Sequence, residues 1–121
     1  MKIEVSVGEI VDKLSILQIK TGMIKDDEKF TNVKKEYDYL YDIVFKEMKI
    51  EHSDFFDMVS INQKLWKIED DLRVLEKSQD FGATFIDLAR SVYITNDLRA
   101  SIKKQINEKY KSQYQEVKCY V

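Results

Sequence analysis

Proline is absent from the chain, and glycine occurs only three times. Nothing in such a sequence is obliged to break a helix, and few positions favour tight turns. This composition suits long uninterrupted helices and argues against a many-turned β-fold. Cys119 is the single cysteine, which excludes an internal disulfide and a thiolate metal cluster. His52 is the single histidine, so a multi-histidine zinc site is excluded as well. Neither sign of charge dominates: 20 basic and 22 acidic residues are interleaved, for a net charge of -2. That leaves no electrostatic footprint for nucleic acid and no polybasic patch for a membrane surface. Met1-Lys2-Ile3-Glu4-Val5 lacks the apolar run of a signal peptide, and no apolar stretch is long enough to span a bilayer. A reducing, cytoplasmic setting is the expectation.

What is present is enough for a core. With 121 residues, 44% hydrophobic and 35% charged, the chain reads as one domain covering residues 1–121. Residues 2–7 alternate, with Ile3, Val5 and Val7 set against Lys2, Glu4 and Ser6, a short strand period. Ser6 is placed to cap a helix, with Glu9 three residues on to complete a capping box. Val7, Ile10, Leu14, Leu17, Thr21 and Ile24 then recur at steps of three and four, the seam of a first helix reaching about Lys25. The register breaks at Lys25-Asp26-Asp27-Glu28-Lys29, a loop whose acids favour the start of the next helix.

A second helix is predicted from about Phe30 to Met48, with Phe30, Val33, Tyr37, Leu40 and Val44 as its seam. Tyr39, Tyr41, Ile43 and Phe45 lie off that seam, more apolar surface than one partner helix covers. Either a neighbouring element or a second copy of the chain must cover them. Ser53 is the expected cap of a third helix, whose seam of Met58, Ile61, Leu65, Ile68, Leu72 and Leu75 is the cleanest in the chain. It ends at Lys77–Asp80. A fourth helix begins near Phe81 and ends near Tyr110. Its seam of Phe85, Leu88 and Val92 is interrupted by Thr95 and Arg99, then resumes at Ile102 and Ile106. A charge in a core seam must be paired or exposed, because an unpaired buried charge costs several kcal/mol. Residues 116–121 alternate again, and the simplest place for them is beside residues 2–7. The expected architecture is therefore mainly α: an up-down four-helix bundle, with a small two-stranded sheet formed by the N- and C-termini.

One polar constellation stands out. Trp66, Glu69, Asp70, Arg73 and Glu76 share overlapping faces of the third helix; Arg90, Tyr93, Asn96, Asp97 and Arg99 lie together on the fourth. Antiparallel helices would oppose them, with Glu9, Asp12, Lys13 or Lys20 of the first helix within reach. As a site, the arginines and Lys13 would hold a small anionic ligand, the carboxylates a proton or Mg²⁺, and Tyr93 and Asn96 would orient. As structure, the same residues form salt bridges between helices, each contributing about 0–1 kcal/mol when exposed. Glu9 and Asp12, one turn apart, are a candidate metal pair, with Glu69 and Asp97 as further candidates. No phosphate-cradling loop, nucleophile elbow or helical zinc motif occurs.

Three runs carry a resemblance. Val5–Lys20, the segment Ile61-Asn62-x-x-Leu65-Trp66-x-Ile68-Glu69-Asp70, and the segment from Leu88 to Lys103 resemble a family of small helical proteins of unknown function. Its members occur in bacteria, some near polysaccharide-synthesis genes, and in marine phages. The resemblance covers nearly the whole chain and implies one complete domain of bacterial or phage origin. It implies no catalytic residue.

Two functions follow as expectations. One is a non-enzymatic binding or assembly module, a homodimer acting through protein contacts or a small anionic ligand, with no cofactor. The other is a small Mg-dependent nucleotide-hydrolysing enzyme resembling the all-helical nucleotide pyrophosphatases, with Glu9, Asp12, Glu69, Asp70 and Asp97 on metal and Lys13, Arg73 and Arg90 on phosphate. The paired E-x-x-E and E-x-x-D spacing of those enzymes is not reproduced.

Overall fold

A computed structural model describes residues 1–114. Its elements are α1 (Val7–Met23), α2 (Asp27–Asp42), a π-helical turn (Ile43–Glu47), α3 (His52–Lys77) and α4 (Ala83–Lys109). The expected terminal sheet is not there: among the described residues no strand forms, and residues 1–6 have no regular structure. The alternation of Ile3 and Val5 is too short to form a strand without a partner, and both side chains stay exposed. Ser6 instead serves the helix, accepting from the Glu9 N–H at 3.2 Å. The other half of that expectation, residues 116–121, lies outside the described residues.

The remaining boundaries follow local chemistry. Asp26 caps α2 by accepting from the Lys29 N–H at 2.9 Å, and Asp27 and Glu28 occupy the first turn. The helix thus starts three residues before Phe30, because the acids belong to its dipole-favoured N-terminus and not to a loop. At the end of α2 the backbone widens into the π turn, where the Met48 N–H bonds to the Ile43 carbonyl at 2.8 Å. A π turn adds a residue to the helical period and swings the side chains after it. Val44 becomes fully buried, and Lys49 closes the turn with φ 55°. Glu51, not Ser53, occupies the cap position of α3.

The hub of the fold is α1, which packs against α2, α3 and α4, while α3 and α4 form an antiparallel hairpin and α2 rests mainly on α1. Val11, Leu14, Val44, Ile50, Phe55, Met58, Val59, Ile61 and Ile106 make the core. Part of the surplus apolar surface of α2 is absorbed within the chain. Tyr37, Tyr41 and Phe45 form a row with centroids 5.8 and 4.7 Å apart. Phe45 then stacks on His52 at 4.3 Å and meets Phe55 edge-on at 5.3 Å.

The core is not centred on the hairpin. On α3 the buried residues run from Phe55 to Ile68 and stop; on α4 they begin only at Thr95. The last turns of α3 and the first turns of α4, residues 69–94, form an arm about 15 Å long. Half-buried Leu72, Leu75, Phe85, Leu88 and Val92 line its inner seam.

Candidate functional site

The interruption of the α4 seam marks a buried polar network. Asp12 of α1 is 3% exposed and is met from two helices. Arg99 of α4 grips both its oxygens, with Nε donating to Oδ1 at 3.0 Å and an end nitrogen donating to Oδ2. Asn62 of α3 donates to Oδ1 at 2.8 Å and also approaches the Ser15 hydroxyl at 2.7 Å. Ser15 in turn donates to the Asp12 carbonyl at 2.6 Å. Lys103, one turn beyond Arg99, reaches Oδ2 of Asp12 at 3.3 Å and the Glu9 carboxylate at 2.8 Å. Burial alone would raise the Asp12 carboxyl; the hydrogen bonds from Arg99 and Asn62 and the charges of Arg99 and Lys103 outweigh it and hold the group below its ordinary value. Among the described residues no buried side-chain nitrogen or oxygen lacks a partner. The network ties α1, α3 and α4 together.

Glycine makes the approach of α1 to α4 possible. A Cβ at Gly8 would stand 2.8 Å from the Lys103 carbonyl oxygen and 3.0 Å from Asn107 Oδ1. The Gly8 N–H donates to that same Oδ1 at 2.7 Å. At the far end of α4 a second polar group closes the bundle: Tyr110 donates to Asp54 at 2.5 Å and accepts from the Glu51 N–H at 2.9 Å. Lys109 spans Asp54 and Glu51 at 2.8 and 3.1 Å. Burial pushes the Asp54 carboxyl up, but Lys109 and Tyr110 more than offset this and hold it below its usual range.

The constellation singled out in the sequence is divided. Only Arg99 enters the interior network. Lys13 is exposed and pairs with Glu36 of α2 at 3.5 Å. Glu69, Asp70 and Arg73 pair along α3 itself, with Arg73 at 2.9 Å from Asp70 and 3.9 Å from Glu69. Trp66 and Asn96 are half-buried. Arg90, Tyr93 and Asp97 lie exposed on α4. Of the candidate metal residues, Glu9 and Asp12 both turn to Lys103, while Glu69 and Asp97 sit exposed on α3 and α4. Among the described residues no three His, Cys, Asp or Glu side chains converge on one point.

Sequence reasoning passed over Ser15, Asn62 and Lys103 as network members. Their signal was present: Asp12 and Ser15 are one turn apart, Arg99 and Lys103 likewise, and Asn62 falls on the buried stripe between Met58 and Leu65.

Two clefts open beside α1. One, about 560 Å³, lies between α1 and α3, with Trp66 as an aromatic wall and Gln18, Gln63, Lys67, Asp70 and Asp71 around it. Its charges are largely engaged, Asp70 with Arg73 and Asp71 with Lys67. The other, about 380 Å³, lies between α1 and α2 beside Glu9, Lys13, Lys20 and Glu36. Among the described residues no helix is long and apolar enough to cross a membrane.

Comparison with known proteins agrees with the resemblance read from the sequence. A family model, described as a family of unknown function (DUF6165), matches residues 1–121. No curated protein and no solved structure matches the chain.

Proposed function

This chain belongs to the DUF6165 family, and from its geometry we infer that it is a non-enzymatic assembly module that acts as a homodimer through the α3–α4 arm. The observation that carries this reading is the arm's unfinished burial. Val74, Phe81, Ile86, Tyr93, Ile94 and Leu98 are all exposed on it or at its base, while the interior polar network is satisfied by the chain itself. Apolar side chains gathered on a projecting helical pair are the signature of a protein contact. The interior network also supports the non-enzymatic reading, since its carboxylate is already held by two cations and an amide.

Sedimentation equilibrium over the micromolar range tests it. Self-association is expected, and Ile94→Glu is expected to return the chain to monomers with unchanged helicity. A wild-type chain that stays monomeric throughout that range contradicts the reading.

The Trp66 cleft supports a second reading, a module for a small polar ligand, because its size falls within that of small-molecule sites. A thermal-shift screen with nucleotides, sugar nucleotides and phosphorylated metabolites, with and without Mg²⁺, tests it. A ligand at about 100 times its Kd stabilises by roughly 2.7 kcal/mol. A shift abolished by Trp66→Ala supports this reading; a flat screen removes it.

A further inference from the structure

The outward face of α4 has an internal symmetry that its inward face lacks. The inward side carries Val92, Thr95, Arg99, Ile102 and Ile106 against the rest of the fold. On the opposite side, Arg90 and Asp97 lie along one line, two helical turns apart. Apolar residues border that line on both sides. Ile86 and Tyr93, 53% and 55% exposed, flank one edge; Ile94 and Leu98, 50% and 48% exposed, flank the other. A cation and an anion equidistant from a midpoint between Tyr93 and Ile94 form a pattern that is complementary to itself when turned end over end.

We propose that this face is the interface with a second copy of the chain, the two α4 helices packing antiparallel about a two-fold axis between Tyr93 and Ile94. The proposal rests on the homodimer reading above and adds the face, the orientation and the register.

In this arrangement Arg90 faces Asp97 of the partner subunit, and by symmetry Asp97 faces Arg90 of the partner subunit. Tyr93 meets Tyr93 of the partner subunit along one edge, and Ile94 meets Ile94 of the partner subunit along the other. The apolar edges shield the two ion pairs from water, which strengthens them and makes any mismatched register costly. A parallel copy would set Arg90 beside Arg90 and Asp97 beside Asp97, so the charges select the antiparallel orientation. Asp97 already takes part in an interaction within its own chain, and a carboxylate has lone pairs for a further donor. The outward face of α3 offers no such pattern: Val74 is its one exposed large apolar residue in the arm, among charged neighbours. Helices of this length bury an area at the low end of specific interfaces, roughly 1,200 Å² in total, so dissociation in the micromolar range is expected.

The test is a charge exchange followed by sedimentation equilibrium. Arg90→Asp and Asp97→Arg are made separately, and each places like charges opposite each other twice in its own homodimer. Each variant alone is expected to dimerise about 100-fold more weakly, or worse. Mixed together, they restore both opposite-charge pairs, and a heterodimer of near wild-type affinity is expected. The double variant Arg90→Asp/Asp97→Arg is expected to regain the homodimer. Both side chains are exposed, and circular dichroism and melting of each variant confirm that folding is untouched. If the wild type dimerises but the single variants dimerise equally well, the α4 face is overturned while the homodimer reading stands. If the singles are monomeric and their mixture stays monomeric, the antiparallel register is overturned. If the wild type is monomeric at every concentration, the inference and the reading fall together.

Discussion

Between Phe55 and Ile68, α3 buries a side chain at almost every turn; between Glu69 and Lys77 it buries none. The same contrast runs the other way along α4, which is open before Thr95 and closed after it. Both halves of this hairpin carry leucine and isoleucine at helical spacing, so apolar content alone does not separate them. What separates them is α1, which ends at Met23. Where α1 is present it supplies a third wall, and the polar residues facing it are drawn into a paired network. Past its last turn, Arg73 pairs along its own helix, with Asp70 and Glu69. The same residue types hold the fold together at one end and leave a surface for assembly at the other.

That contrast is broken most strongly from the closed end. Asp12→Ala leaves Arg99 and Lys103 in the interior without their shared carboxylate, a loss of about 3–5 kcal/mol or a Tm drop of roughly 10–20 °C by calorimetry. The same carboxylate sets an acid limit. Its folded pKa lies below the ordinary 3.8, so its contribution is fully present at neutral pH. That contribution is lost as pH falls below about 4 and through the folded value. An Asp12→Asn variant, melted across that window, should show a shallower acid dependence than the wild type. Gly8→Ala comes next, since its methyl would collide with the Lys103 carbonyl; about 1–3 kcal/mol is expected in chemical denaturation. Tyr110→Phe removes the donor to Asp54 and the acceptor for the Glu51 N–H, for about 1 kcal/mol.

At the open end the expected losses of stability are the smallest. Arg73→Ala should change unfolding free energy by less than about 1 kcal/mol, because both its ion pairs are exposed. Ile86→Ser should stay within about 0.5 kcal/mol in dilute solution, yet weaken association measured by sedimentation. A large loss of monomer stability from Ile86→Ser would mean that the arm is an integral part of the core.

The sequence carried the helices clearly, because their apolar residues recur at steps of three and four over many turns. It also carried the anomaly at Thr95 and Arg99, since a charge in a seam requires a partner. The partner itself was not legible: Asp12 lies 87 positions away, and only the packing of α1 into the hairpin selects it over Glu69 or Asp70. The strand expected at residues 2–7 misled because a two-residue period over six positions also describes an extended lead-in to a capped helix. The π turn left no periodic trace, since one added residue within five shifts the stripe no more than an ordinary helix end. The exposed positions of Arg90, Tyr93 and Asp97 could not be foreseen, because whether a face is inside or outside depends on where a third helix stops.

Hydrogen exchange resolved along the chain, at concentrations well below and well above the onset of association, tests the division most directly. Residues 11–17, 58–65 and 102–107 should exchange slowly and equally at both concentrations, while residues 83–94 should exchange quickly when dilute and gain protection when concentrated. An arm as protected as the core in dilute solution, with no change on concentration, would contradict the account.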